Sequence, residues 1–450
     1  MSLQRTLEQV QSKDCIIEIF GLGYVGFPLS VRLANAGFKI TGIDSDSKKI
    51  ERLQNNSLIG SEFVLKNEFL ECRKNGNLVL SSSPKNANDA KIGIICVPTP
   101  IPDQHRRSDV FVMSAIENFL RASKKGDAII IESSIQVGTT DDIKKNIESK
   151  NYKVGEDFGL CFCPERIDPL NKKWKLENIP RVIFCSDDLT FHMAQKIYHY
   201  VNNSNLHRVK SAKVAEVVKS FENAYRLVNI SLVNELAILC DRLKISVRDV
   251  IDAASTKPFG YMPFYPSAGA GGHCIPKDPR FLSESAKKTG FEFETIENAL
   301  KINEFIPKYI VNSIEKTLGE LRLEKSILVC GLSYKPDIED MRDSPGFKII
   351  KELKNMNFRI NAYDSYFNDL LTDRYLKENN LVELQFKKLD NLDDNSIKES
   401  NCICIVQHHT KTKFRLEEIY KKSLVPFIYD CQNKLVEDPG SKTILKRLGS

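Results

Sequence analysis

Three observations in the 450-residue chain predict an α/β architecture: two Rossmann-like doubly wound domains joined by a helical middle with one long central helix. Short β-rich apolar runs alternate with helical stretches from Cys15 onward. The segment 211–244 carries apolar residues at helical spacing without a glycine or proline, and the strand–helix rhythm restarts near Lys325. At roughly 150 residues per domain the length asks for about three domains' worth of core. We assign these as an N-terminal dinucleotide-binding domain over 1–209, a central helical domain over 210–318 and a C-terminal Rossmann-like domain over 319–450.

The elements follow in order. CIIEIF, FKITGI, KIGIICV, DAIIIES and GLCFC are nearly continuous apolar runs, as expected of parallel strands covered on both faces, and FPLSVRLANAG between the first two reads as a helix. The helix from Ser211 to Lys244 carries more apolar positions than one packed face needs, so it is expected to link domains and to pair subunits. The stretch KPFGYMPFYPSAGAGGHCIPKDP is too rich in Pro and Gly for regular structure and too apolar for a linker, which marks an ordered functional loop. A helical region around FETIENALKINEFIPKYIVNSIEKTL leads to the second α/β run, SILVCGLSYK, PGFKIIKELKNM and FRINAYD.

Composition narrows the function. The 65 Lys and Arg exceed the 59 Asp and Glu by only six, scattered along the chain, so nothing calls for nucleic acid. Twelve cysteines are too sparse for a disulfide scaffold, and none forms a CxxC pair, so neither a metal site nor a redox dithiol is expected. Cys161 and Cys163, like Cys402 and Cys404, read as core and surface neighbours on strands. The start MSLQRTLEQVQSKD has no apolar core, and no apolar run approaches the roughly 18 residues that cross a bilayer. A reducing cytoplasm and no membrane contact are therefore expected.

Gly21-Leu22-Gly23-Tyr24-Val25-Gly26 follows the strand IIEIF and opens a helix, and Asp44 closes the next strand about 20 residues on. In that context Gly21 makes the tight turn, Gly23 lets the backbone approach a pyrophosphate, and Gly26 lets helix and strand pack closely. The anion would rest on the helix N-terminus. Asp44 suits the ribose hydroxyls and repels a 2′-phosphate, favouring NAD over NADP, with Lys48 and Lys49 near enough to soften the preference. Thr99, in CVPTP, stands at a second strand end.

Gly271-Gly272-His273-Cys274-Ile275-Pro276-Lys277-Asp278 is the sharpest local feature. Paired glycines allow a ligand close to the backbone, and Cys274 reads either as a nucleophile or as a structural loop cysteine. His273 reads better as a loop or substrate contact than as a base. Lys219 and Asn223 are one helical turn apart and share a face, where they either polarise an oxyanion or lie exposed; Asn229 and Asn234 read as caps or interhelical contacts.

Taken in order, GLGYVG, CVPTP, ESSIQVGTT, CPERIDP, KSFENAYRLVNISLVNELA, GGHCIPKDP and GLSYKPDIEDMRDSP closely resemble the UDP-glucose and GDP-mannose dehydrogenase family over nearly the whole chain. TKPFGYMPFYP and the GGHC loop look most like the family's UDP-N-acetylglucosamine 6-dehydrogenases. The resemblance implies an NAD-dependent, four-electron oxidation of a sugar C6 hydroxyl to the uronic acid through a cysteine thiohemiacetal and thioester, feeding surface polysaccharide synthesis. It implies Cys274 as nucleophile, Lys219 and Asn223 around the oxyanion and water, Asp278 holding that water, and Glu165 as acid/base. Ser134 stands where the family commonly has Thr and keeps a hydroxyl for substrate, cofactor or water. Arg181, Phe264, Tyr265 and Gly271 lie in segments that contact substrate in the family, and Lys335 and Arg342 match residues that line its nucleotide-sugar cleft. Family members pair through the long helix, which implies a homodimer or higher even oligomer.

Two departures concern the sugar. PDQHRRSDV lacks the family's usual Pro-Asp-Leu, and the Arg that UDP-glucose-specific members place ahead of the cysteine loop has no equivalent near Lys257 and Pro258. Phe264 and Tyr265 with the small Ala268, Gly269 and Ala270 leave room for a 2-acetamido group. The rival sugars are UDP-N-acetylgalactosamine, UDP-N-acetylmannosamine and UDP-glucose, and the rival from another class is a dinucleotide-binding sensor that has lost catalysis.

Overall fold

The computed structural model describes every residue except Met1, 84–89, 101–107, 168–170, 172, 273, 367–375, 378–380 and 384–385. His273, most of the PDQHRRSDV departure and the Asp168-Pro169 end of CPERIDP lie outside the described residues. The three expected segments fold as two compact units, Met1–Glu222 and Asn223–Ser450.

In the first unit the strands are β1 (Ile16–Phe20), β2 (Lys39–Ile43), β3 (Leu78–Ser81), β4 (Ala90–Ile95), β5 (Ala128–Ile131), β6 (Gly159–Phe162), β7 (Arg181–Cys185) and β8 (Leu206–Arg208). They form one sheet in the order β3-β2-β1-β4-β5-β6-β7-β8, parallel except for the antiparallel pair β6–β7. The helices are α1 (Leu3–Ser12), α2 (Gly26–Asn35), α3 (Ser47–Gln54), α4 (Lys66–Lys74), α5 (Val110–Leu120), α6 (Thr139–Glu148) and α7 (Asp188–Asn202). Successive strand residues point to opposite faces, and both faces are core. Ile94 packs in one cluster with Ile17 and Ile197, while Ile95 packs in another with Ile116 and Ile143. The continuous apolar runs therefore mark strands with no solvent face.

The long helix α8 (Ala212–Leu243) lies within a residue of its expected bounds at both ends, and the division between units falls inside it. The second unit continues with α9 (Val247–Ala254), the irregular segment before α10 (Asp278–Lys287), and α11 (Glu294–Glu320). Its sheet is built from β9 (Ser326–Cys330), β10 (Arg359–Tyr363), β11 (Lys387–Lys388), β12 (Cys402–Ile405), β13 (Phe427–Asp430) and β14 (Ile444–Arg447). It is parallel throughout, in the order β11-β10-β9-β12-β13-β14, and α12 (Pro345–Asn355) follows β9. Both sheets thus share the 3-2-1-4-5-6 order of doubly wound nucleotide-binding folds. Among the described residues no helix is long and apolar enough to cross a membrane.

The cysteines correct the sequence reading. Residues two apart on a strand share a face, so Cys161 with Cys163, and Cys402 with Cys404, point the same way; all four are buried. Cys161 is moreover paired with Cys185 in a disulfide between β6 and β7, although the sparse cysteines had suggested none. The antiparallel register sets these two residues directly opposite each other. By loop length such a crosslink is worth about 3 kcal/mol. Alkylation of the unreduced, denatured protein followed by mass spectrometry should label ten of the twelve cysteines and leave Cys161 and Cys185 protected. Twelve labels would remove the crosslink.

Candidate active site

The glycine turn in the first unit is built by steric exclusion. Gly21 holds φ +91° after β1, and a Cβ on Gly26 would stand 1.9 Å from the Gly21 carbonyl oxygen, so only glycine lets α2 start there. A Cβ on Gly23 would meet nothing within 4 Å, so the space above the turn is open. The helix begins at Val25 without a side-chain cap, and Tyr24 projects 54 % exposed. Open space over uncapped N–H groups at a helix N-terminus fits a dinucleotide pyrophosphate.

Asp44 follows β2 and ties this turn down: its Oδ2 accepts the Leu22 N–H at 2.9 Å, and its Oδ1 accepts the Asp46 N–H at 3.1 Å. Of the two lysines suspected of softening its preference, Lys49 reaches Asp44 at 2.9 Å. The backbone N–H of Lys48 is bound to Asp46 instead. Thr99 is buried beyond β4, and Ser134 is half-buried beyond β5, next to Ser133, whose hydroxyl donates to the Val97 carbonyl at 2.7 Å.

A second group of side chains gathers beyond β5 and β6. Glu165 Oε1 accepts the backbone N–H groups of Arg166 and Ile167 at 2.6 and 2.7 Å, and its Oε2 meets Arg181. Lys219 Nζ donates to the Glu165 carbonyl oxygen at 2.5 Å, so it reaches the backbone of that residue and not its carboxylate. Arg181 is wholly buried, with Nη1 2.9 Å from Glu132 Oε2. The side chain therefore braces two carboxylates and offers no surface to a substrate, which corrects its expected role as a contact. Burial raises the Glu132 carboxyl above its ordinary value, opposed by the Arg181 charge. Burial works against the Arg181 cation too, but the Glu132 and Glu165 carboxylates outweigh it and hold Arg181 above its ordinary value.

The cysteine loop belongs to the second unit. Cys274 is exposed, and its carbonyl accepts the N–H groups of Lys277 and Asp278 at 3.2 and 2.9 Å, winding the loop into α10. Asp278, fully buried at the start of that helix, accepts the Asn223 amide at 2.6 Å and lies 3.3 Å from the buried Lys277 ammonium. The paired glycines do not leave room for a ligand as expected. Gly272 holds φ +84°, and Cβ atoms on Gly271 and Gly272 would collide with the Asp343 carbonyl and the Tyr334 ring. Their small size admits the chain's own 331–345 loop, and the Gly272 N–H donates to the Arg342 carbonyl at 2.9 Å.

That loop carries Lys335, half-buried, and Arg342, whose guanidinium engages Asp340 through Nε at 2.9 Å and Nη2 at 2.6 Å. Phe264 is half-buried with its ring 6.1 Å from that of Tyr225, and the Arg248 guanidinium lies 5.3 Å from the exposed Tyr265 ring. Ala268 and Ala270 are core residues, and the Asn303 amide holds Ala270 at both its N–H (2.6 Å) and its carbonyl (3.1 Å). The room for an acetamido group expected from these alanines is filled by protein. Asn234, read as a cap or interhelical contact, accepts the Ser267 N–H of this loop at 3.0 Å, while half-buried Asn229 bonds back to the Tyr225 carbonyl of its own helix.

The sequence reading missed Glu132, Tyr198, Lys277 and Asn303. Only Glu132 carried a signal, as a charged residue directly after a fully buried strand. It also missed a second carboxylate clamp, at the end of β10. Asp364 Oδ2 accepts the N–H groups of Leu332 and Ser333 at 2.6 and 2.9 Å and His409 Nε2 at 3.0 Å.

A glycine turn on an uncapped helix and an acid at the next strand end, with an exposed thiol on a braced loop in the other unit, define a two-domain dinucleotide-dependent oxidoreductase. Three successive segments match the UDP-glucose/GDP-mannose dehydrogenase family: its NAD-binding domain over 15–202, its central domain over 213–305 and its UDP-binding domain over 328–437. The chain belongs to that family. It is 33 % identical over 443 residues to a UDP-N-acetyl-D-mannosamine dehydrogenase of Methanococcus aeolicus, covering 97 % of this chain and 93 % of the relative. It is 31 % identical over 360 residues to a UDP-N-acetyl-D-glucosamine 6-dehydrogenase of Pseudomonas aeruginosa, covering 79 % and 83 %. A solved UDP-D-ManNAc dehydrogenase from Pyrococcus horikoshii superposes with a TM-score of 0.84 at 27 % identity, over 96 % of this chain and 99 % of that one.

Wild-type protein should favour NAD over NADP by about tenfold or more in kcat/KM. Asp44→Ala should erase most of that preference, since it removes both the ribose acceptor and the partner of Lys49. Initial rates by NADH and NADPH absorbance decide this, and an unchanged preference in the variant would remove Asp44 from cofactor choice.

Proposed function

We propose that this NAD-dependent UDP-sugar dehydrogenase oxidises C6 of a UDP-N-acetylhexosamine through covalent capture on Cys274. The observation that carries the reading is exposure: among the ten free cysteines, Cys274 alone is exposed. Two NAD molecules, bound one after the other, would each accept one hydride, and Gly21, Gly23, Tyr24, Val25, Gly26 and Asp44 are the residues that would hold each in turn.

The residues of the chain take the remaining roles. A base path through Glu165, Lys219 or water removes the hydroxyl proton as C6 gives up a hydride, which yields an aldehyde at C6. The Cys274 thiolate adds to that carbon, forming a C–S bond and, with a proton on the oxygen, a thiohemiacetal; loss of that hydroxyl proton and of the C6 hydride leaves a thioester. Water, oriented by Asp278 and deprotonated by Glu165, breaks the C–S bond, releases the carboxylate and restores the thiolate. Lys219 and Asn223 would stabilise the oxyanion, a type of interaction worth about 3 kcal/mol per donor. Thr99 and Ser134 border the cofactor, and Lys335 and Arg342 supply cations to the diphosphate. Covalent capture keeps the aldehyde from leaving between the two oxidations. A reducing cytoplasm, where the exposed thiol stays reduced, is the compartment this chemistry suits.

The sequence motifs support the gluco epimer. The relative that spans 97 % of the chain is named for the manno epimer, which supports UDP-N-acetylmannosamine as a second reading. Exposed Val214, Val217, Phe221, Leu232, Leu239 and Leu243 recur along α8 and support pairing of two copies through this helix.

Cys274→Ser should abolish uronic acid formation while NAD affinity stays within about twofold; near wild-type product from the variant would exclude the thioester route. The better of the two N-acetylhexosamine substrates should exceed UDP-glucose by about a hundredfold in kcat/KM, or about 2.7 kcal/mol, and comparable turnover of UDP-glucose would refute the acetamido assignment. Light scattering should give a dimer or higher even oligomer, and a strict monomer at micromolar concentration would leave the apolar stripe on α8 unexplained.

A further inference from the structure

One ion cluster in the first unit surrounds Glu165 with three side chains, Arg181, Glu132 and Tyr198, that no step of this chemistry uses. The β6–β7 ladder pairs Cys161 with Cys185 and Phe162 with Phe184. The same antiparallel register, carried past the strand ends, sets Glu165 across from Arg181, which explains their ion pair. The other arm of Arg181 meets Glu132, which directly follows β5. Tyr198, on α7, donates its hydroxyl to Glu132 Oε1 at 2.5 Å, and its ring lies 4.8 Å from the guanidinium. All four side chains are buried. One cation thus serves two carboxylates away from water, and the charge state of each carboxylate bears directly on the other.

The remaining titratable groups around the cluster do not substitute for Glu132. Burial pushes the Cys163 thiol up to about 12 and the Cys96 thiol well above its ordinary value, so both stay neutral. Lys219 reaches only the Glu165 carbonyl, and the Arg166 guanidinium is taken by Glu222.

We propose that Glu132, oriented by Tyr198, is a positioning residue that acts through Arg181 to set the orientation and proton affinity of Glu165. The proposal rests on the reading of Glu165 as the acid/base. Its sign follows from charge. The Glu132 carboxylate shares the Arg181 cation and repels negative charge on Glu165, so it raises the proton affinity of Glu165. Removing that charge commits Arg181 to Glu165 alone and makes Glu165 a weaker base.

The test is kcat/KM against pH with the better UDP-N-acetylhexosamine. Glu132→Gln keeps the shape and an acceptor for Tyr198, and should move the acidic limb to lower pH by about one unit and lower the plateau about tenfold. KM for NAD should stay unchanged. Glu132→Asp should return the limb toward wild type. Tyr198→Phe removes the donor that favours charged Glu132 and should shift the limb in the same direction by less. A folded Glu132→Gln protein with an unmoved limb overturns the proposal, and if that variant fails to fold, an unmoved limb in Tyr198→Phe overturns it equally. Glu165→Gln separates the two readings. Full activity there refutes the role of Glu165 itself, whereas loss of activity together with an unmoved limb in the Glu132 and Tyr198 variants refutes only the positioning role.

Discussion

A strand covered by helices on both faces can meet a ligand only at its ends, and this constraint decides where chemistry lies in both units. Every long strand here is apolar almost throughout, so polar function is displaced to the loops that leave the carboxyl edge. Each sheet then solves one problem in the same way. The turn after the first strand exposes backbone N–H groups, and a carboxylate from the end of the second strand binds them: Asp44 on Leu22 in the first unit, Asp364 on Leu332 and Ser333 in the second. In the first unit the acid stays half-buried beside an open glycine turn. In the second it is buried and closed by His409. Burial alone would raise the Asp364 carboxyl, but the His409 hydrogen bond and charge bring it below its ordinary value. The same device is open to a cofactor in one unit and sealed by a side chain in the other.

The single antiparallel joint, β6–β7, has consequences that a wholly parallel sheet would not permit. Reversing one strand brings its first residue to the carboxyl edge of its neighbours, so Arg181 arrives beside residues that follow β5 and β6. Side chains two apart on a strand share a face, and the ladder therefore places the Cys161–Cys185 crosslink and the Glu165–Arg181 ion pair on one face, four residues apart. The crosslink fixes the register that the ion pair requires, since a slip of one residue would turn Arg181 to the opposite face.

The parts legible in the sequence are those written in local period and spacing. The βαβ rhythm located both sheets, the helical apolar spacing free of Gly and Pro located α8, and GLGYVG with Asp44 located the dinucleotide turn, because each signal lies within about 30 residues of chain. What stayed hidden depends on pairing between distant segments. Gly271 and Gly272 announced a close approach but not by what, and the occupant is Tyr334, some sixty residues later. Ala268 and Ala270 looked like space because small residues read alike whether they face a cavity or a core; Asn303, from α11, shows which. Arg181 read as a substrate contact because a family segment says where a residue lies in the chain, not which way its side chain turns.

Energetics distinguishes a structural from a functional account of that arginine. Taking a guanidinium and two carboxylates out of water costs several kcal/mol per ion, and their mutual attraction offsets this only with good geometry. Apolar side chains of similar volume would fill the space beside Ile183 and Cys163 at no such cost. As a device for stability, therefore, the cluster is a poor choice for a sheet whose neighbouring strands are otherwise apolar. As a device for control it has a property that no apolar packing offers: the protonation of one carboxylate is felt by the other across a fixed cation. A buried, three-membered ion cluster ending on Glu165 is better explained by what it imposes on Glu165 than by what it contributes to folding.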